Sequence, residues 1–268
     1  MLNKKGKELT EHEAYLMAIK TEKIKVYISR VLILVSFFVI WEVAAELRWI
    51  DPFITSKPTS MVKTLISLHE SNQLYIHLGT TIMETVVGFV LGTIIGTFIA
   101  IVLWWSPFLS KVLDPYIVVL NSLPKVALGP IIIVWAGAGI MAIITMALLI
   151  SVIITTINVH GGFNDVDEEK IILVKSFGAT KRQILQKVIL PGSYSTIINA
   201  LKINVGLSWV GVIMGEFLVS KAGLGYLIVY GSQVFKLDIV MTSTLVLAVA
   251  SVGMYLAVSY LEKKLLNK

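Results

Sequence analysis

The sequence predicts an all-α polytopic membrane protein, and three observations carry that prediction. Of its 268 residues 56% are hydrophobic and only 15% charged, against about 25% charged in a soluble domain. The mean hydropathy is +0.83. Six apolar stretches of roughly 20 residues follow one another, each long enough at ~1.5 Å per residue to cross a hydrocarbon core ~30 Å thick.

Composition also excludes several chemistries. With no cysteine there is no disulfide, thiolate metal site or cysteine nucleophile, and His12, His69, His77 and His160 are not paired at helical spacing, so no metal site is expected. The net charge of +6 comes from basic residues that flank apolar spans. They suit a membrane surface, and no nucleic-acid partner is expected.

The elements follow in order. Residues 1–27 form a polar leader containing Lys4, Lys5, Lys7, Lys20, Lys23 and Lys25. It is too long for a signal-peptide n-region, so residues 28–47 read as an uncleaved first span. Residues 48–80 hold Pro52, Pro58, Lys57, Lys63 and Glu70 around an amphipathic run near Met61–Leu68, which predicts a short surface helix. A core from 81 to 261 then carries five spans, at about 81–105, 116–136, 140–159, 193–218 and 239–261, with a loop at 161–192 and a tail at 262–268.

Lysine and arginine set the orientation. With the N-terminus inside, sixteen of them fall on the cytoplasmic side and five (Arg48, Lys57, Lys63, Lys221, Lys236) outside, leaving Lys125 and Lys202 within spans. Both termini are therefore expected to be cytoplasmic, and so is the 161–192 loop.

That loop opens with acidic residues, Asp165, Asp167, Glu168 and Glu169, suited to a helix N-terminus. An apolar run from Ile171 to Phe177 follows, and Gly178 can take the left-handed conformation that closes a helix. Thr180 is placed to cap a second helix with an Ile184, Leu185, Val188, Ile189 stripe, which Pro191 ends. From the residues alone, two short helices at a bend are either a solvated connector or a docking surface. A mostly apolar first helix in so short a loop argues for a partner.

Gly178, nine residues, then Val188-Ile189-Leu190-Pro191 resembles the cytoplasmic loop signature of permease subunits in ATP-binding cassette importers. The family pattern begins with Glu-Ala-Ala, where this chain has Ile172, Leu173 and Val174, the nearest acids being Glu168 and Glu169. Leu123-Pro124-Lys125-Val126-Ala127-Leu128-Gly129-Pro130, and Ala222-Gly223-Leu224-Gly225-Tyr226 after Gly215-Glu216-Phe217, resemble the nitrate/sulfonate/taurine branch. The resemblance implies a type I, MetI-like importer permease fold with six transmembrane helices in the bacterial cell membrane. It further implies separate ATPase subunits, an extracytoplasmic substrate-binding protein and a second permease chain, in this branch usually identical. The coupling loop would use Glu168, Glu169, Leu173, Val174, Phe177, Gly178, Ala179, Leu190 and Pro191.

No Gly-x-x-x-x-Gly-Lys-Ser/Thr loop is present, so ATP would be bound by another subunit, and neither a cofactor of its own nor enzymatic activity is expected. Polar residues inside spans are costly, and the fifth span places Asn199, Lys202, Gly206, Trp209, Ile213 and Glu216 on one face. This face is the candidate pathway; the competing reading has Lys202 and Glu216 snorkel at opposite ends while Trp209 packs. Asn204, Ser208, Gly211 and Gly215 suit close helix contact, as do Thr81, Thr85, Gly88, Gly92, Gly96 and Ala100 on the second span. Pro124 and Pro130 interrupt the third span, making Asn121, Ser122 and Pro124 further pathway candidates or a plain kink. Glu42 and Glu84 are read as bundle-facing or interfacial, with no specific role. Gly223 and Gly225 fall on the outer side as a candidate gate. The competing class is a six-span secondary transporter driven by an ion gradient.

Overall fold

The computed structural model describes residues 11–266, and within them every regular element is helical. Lys4, Lys5 and Lys7 of the leader and Lys268 of the tail lie outside the described residues. The chain divides after Lys63 into two compact units.

In the first unit, α1 (Glu11–Glu46) is one helix of 36 residues. It begins well before the expected span, because the leader from Glu11 on has no helix breaker. Most of its large apolar side chains, Ile33 and Ile40 among them, are exposed. After it, Asp51 caps α2 (Pro52–Thr55) by accepting from the Phe53 N–H at 2.9 Å. The Glu42 carboxylate accepts from the Thr59 N–H at 3.0 Å and its hydroxyl at 2.7 Å, satisfying the first turn of α3 (Pro58–Glu70). The Lys57 ammonium donates to Glu46 at 2.7 Å. Glu42 thus holds the turn between two helices, a role its sequence neighbourhood did not suggest.

The second unit is built on α4 (Gln73–Trp105), α7 (Ile140–Asn164) and α11 (Tyr194–Val219), with α7 packed along both others. Small residues permit this. A Cβ on Gly88 would lie 2.8 Å from the Ala147 Cβ and one on Gly96 2.6 Å from the Thr155 Cβ, while one on Gly92 would meet the Ser151 side chain. The stripe on α11 works the same way, since Gly211 and Gly215 face the backbone of Ala147 and Ile143, and Asn204 donates to the Thr93 hydroxyl at 3.0 Å. Without a hydrophobic drive in lipid, such close approach supplies dispersion contacts that hold helices together.

The stretch expected as one span at 116–136 is not straight. α5 (Pro107–Ser122) ends where Leu123 turns extended ahead of Pro124. A tight turn over Lys125–Leu128 leads to α6 (Gly129–Ala136), and the two arms meet at 88°. Eight residues of α helix rise only ~12 Å, too short to cross alone. Among the described residues, five helices are long and apolar enough to span a membrane, or six if the bent pair counts as one.

Between α7 and α11 lies the hairpin: α8 (Glu168–Ser176), α9 (Lys181–Ile184), a π-helical turn at Leu185–Ile189, and α10 (Leu190–Gly192). Pro191 does not stop the second limb. It sits in the first turn of α10 and the chain runs on into α11; the N–H that proline lacks matches the wide turn just before it. The fold closes with α12 (Leu224–Gln233) and α13 (Leu237–Leu266).

Candidate functional site

Two places concentrate chemistry, one at each end of α4. At its N-terminal end α12 points its first amides at side chains of α4 and α11. The Gly223 N–H donates to His77 Nδ1 at 2.9 Å, the Leu224 N–H to Thr81 Oγ1 at 2.8 Å, and the Gly225 N–H to Glu216 Oε2 at 2.6 Å. The Thr81 hydroxyl donates to Glu216 Oε1 at 2.7 Å. Three amides that no intrahelical carbonyl can serve are thereby satisfied, one of them by a carboxyl group at the positive end of the helix. Because Gly223 donates to Nδ1, that nitrogen is the acceptor, and Nε2–H is left to face Gln73 Oε1 at 3.1 Å.

This latch is dry: Thr81, Glu84 and Glu216 are at most 2% exposed. The Glu84 carboxyl lies against Glu216, with its Oε2 unpartnered. Gly223, at φ +116°, and Gly225 allow the approach. A Cβ on Gly223 would fall on the Glu216 carboxyl, and one on Gly225 would lie 2.8 Å from the Glu216 Cβ. Glu216, expected on a pathway wall, is thus the anchor of the Gly223–Gly225 turn. The sequence reading missed His77, Thr81 and Glu84 as its partners; their i, i+4, i+7 spacing was the available sign of one polar face.

The remaining pathway candidates separate. The Lys202 ammonium pairs with Glu262 of α13 at 2.6 Å, so its charge is matched within the chain. Trp209 is 5% exposed, with Nε1 unpartnered, and borders a 580 Å³ apolar cavity between α4 and α13. Asn199 and Gly206 are open; with Ile203 and Val210 they form an exposed stripe along α11. Asn121, Ser122 and Pro124 are exposed at the α5–α6 break, where the Lys125 ammonium donates to the Asn121 carbonyl at 2.7 Å.

At the other end of α4 stands the hairpin, whose limbs differ. Asp167 caps α8 by accepting from the Glu169 N–H at 3.0 Å, and Glu168 and Glu169 occupy its first turn. Ile172, Leu173 and Phe177 are 58%, 57% and 81% exposed. Val174 is half-buried, and a crevice of 320 Å³ lies beneath α8, bordered by Phe163, Val166 and Ile171. Gly178 then turns the chain at φ +80° with open space around it. Thr180 and Gln183 form a capping box at the start of the second limb. Ile184, Leu185 and Ile189 are buried with Ala100, Val159, Phe163 and Ala200, and Ala179 and Leu190 pack against them; Pro191 is exposed.

Ile172, Leu173 and Phe177 are thus held outward on a hairpin whose second limb is packed against the spans. The sequence model for the binding-protein-dependent transport system inner membrane component matches residues 88–267. The chain belongs to this family. It is a multi-pass membrane permease subunit of ABC importers for small solutes, and such subunits are translocation components, not enzymes.

Among its relatives, a formylaminopyrimidine transport permease of Halalkalibacterium halodurans is 27% identical over 70% of this chain and 74% of that one. A Bacillus subtilis protein named for aliphatic sulfonates transport is 27% identical over 85% and 83%. Permeases named for taurine in Escherichia coli and for nitrate in Synechococcus elongatus match at 24% and 26%. In fold, the chain resembles the MetNI methionine ABC transporter in an inward-facing form, with a TM-score of 0.60 and 21% identity over 69% of this chain and 92% of that chain. The MetI-like helical fold expected from the sequence is therefore present.

Proposed function

We propose that this subunit forms half of a pathway for a small solute of the sulfonate, taurine, nitrate or vitamin-precursor type, and that a separate ATPase subunit drives it by gripping the hairpin. The observation that carries this reading is the outward display of Ile172 and Leu173 on α8 and of Phe177 at its C-cap. Three large apolar side chains on a nine-residue helix and its C-cap suit the pocket of a partner better than water. Glu168 and Glu169 at its start add a charged rim, and Gly178 is the joint between the gripped limb and the fixed one. ATP binds to the partner, not to this chain.

The Lys and Arg distribution supports placing the hairpin in the cytoplasm and the Gly223–Gly225 turn on the outer side, where a substrate-binding protein would meet α12. Two identical permease chains would face each other across the pathway. The exposed stripe of Asn199, Ile203, Gly206 and Val210, with Asn121, Ser122 and Pro124 at the break, supplies its open polar and backbone groups. Lys202, Trp209 and Glu216 act from behind it by holding helices in place.

The test is co-purification. Leu173→Asp combined with Phe177→Asp is expected to remove the ATPase subunit from the detergent-solubilised complex while the permease still inserts. Undiminished ATPase recovery would remove α8 as the docking element.

A further inference from the structure

The second limb of the hairpin carries a contact that docking does not use. Lys181 opens α9, and its ammonium donates to the Trp105 carbonyl at 2.6 Å. The same nitrogen stands 5.7 Å from the ring centroid of Trp104 and 5.8 Å from that of Trp105. Trp105 is the last residue of α4, and the following N–H, of Ser106, returns to Val102. The Trp105 carbonyl is thus among those a helix end leaves without an intrahelical donor. A cation there sits at the negative end of the helix dipole, and the two indole rings attract it further.

The limb's other hold on α4 is apolar. Ile184, Leu185 and Ile189 share a cluster with Ala100, and such packing can slide because it has no direction. The ammonium contact has a direction, at the terminus of the helix whose other end carries the latch. The 320 Å³ crevice beneath α8 is bordered by Trp104 and by Lys181 itself, so this contact stands at the edge of the space into which the gripped limb can move.

We propose that Lys181 is a positioning residue for coupling: it pins α9 to the C-terminus of α4, so that displacement of α8 reaches α4 instead of being absorbed at the Gly178 bend. This rests on the docking reading above. A packed helix pair responds to such a push by switching between discrete arrangements.

The experiment uses the whole importer, permease with ATPase and binding protein, in proteoliposomes, and measures solute taken up per ATP hydrolysed. Lys181→Met is expected to keep the ATPase bound and basal hydrolysis intact while the uptake ratio falls at least about fivefold. Lys181→Arg, which keeps the cation, is expected to restore the ratio to within about twofold of wild type. Because the native chain has no cysteine, a bifunctional thiol tether in the Trp105→Cys, Lys181→Cys double variant can replace the contact, and is expected to raise uptake per ATP above that of the untethered variant. A wild-type ratio in Lys181→Met, or no gain from the tether, overturns the proposal. Loss of the ATPase from Lys181→Met also overturns it, by making Lys181 a docking contact. Absence of ATPase from the wild-type complex is the separate result that removes the docking reading, and this inference with it.

Discussion

The two ends of α4 are held by opposite means. At its N-terminal end a buried carboxyl group, a threonine and a histidine receive three backbone amides of α12, and glycines leave no slack. At its C-terminal end an apolar cluster and one exposed ammonium support a hairpin whose outer limb overhangs a crevice. Dry, directional bonds specify one geometry because an unmatched donor out of water costs about 1–3 kcal/mol. Apolar packing under a glycine bend tolerates several. The latch keeps α4, α11 and α12 together, while the proposed docking makes the hairpin the part that moves.

Substitutions can break this contrast at either end. The largest effect is expected at Gly223: Val there must clear the Glu216 carboxyl and adopt φ +116°, a loss of about 3 kcal/mol or more. Gly223→Val with Gly225→Val should insert in the membrane, melt earlier in detergent and fail to transport; unchanged uptake would remove the latch from the mechanism. Next comes Glu216→Ala, which strands the Thr81 hydroxyl and the Gly225 amide and should cost about 3 kcal/mol, with Glu216→Gln retaining part of the loss. Equal melting temperatures for the two variants would show that the side chain's hydrogen bonds do not matter.

At the hairpin the sign of the comparison reverses. Gly178→Asp meets no neighbour, so its cost is the left-handed backbone alone, about 1–2 kcal/mol. Uptake should nevertheless be abolished, with ATPase binding lost or hydrolysis uncoupled. Retention of both would show that the bend is only a linker. The smallest effect is expected at Gly206, which has open space around it. Gly206→Ala should stabilise α11 by about 0.5–1 kcal/mol and alter uptake if that stripe faces the pathway; identical uptake kinetics would place the pathway elsewhere.

Much of this was legible in the sequence because it depends on local pattern. Apolar length gave the spans, and four-residue spacing of Gly88, Gly92 and Gly96 marked a helix-contact face, which α7 fills. Gly178 and Thr180 gave the bend and the cap. What escaped notice depends on distant partners. Glu216 and Glu84 lie 132 positions apart in sequence, and only the return of α12 onto α4 shows that the first anchors a turn. Lys202 looked like a pathway cation because Glu262, its partner, belongs to another helix. The third span was expected to be interrupted at Pro124 and Pro130, but hydropathy registers apolar length and not direction, and the 88° size of the bend follows from where Leu123 and Pro124 must point.

The most direct measurement is solute uptake into proteoliposomes containing this chain, with and without the ATPase subunit, its binding protein and hydrolysable ATP. The expected result is accumulation only when all are present, and none when a non-hydrolysable nucleotide replaces ATP. Accumulation by the chain alone, driven by an ion gradient, would contradict a hairpin that serves as the handle of an external motor.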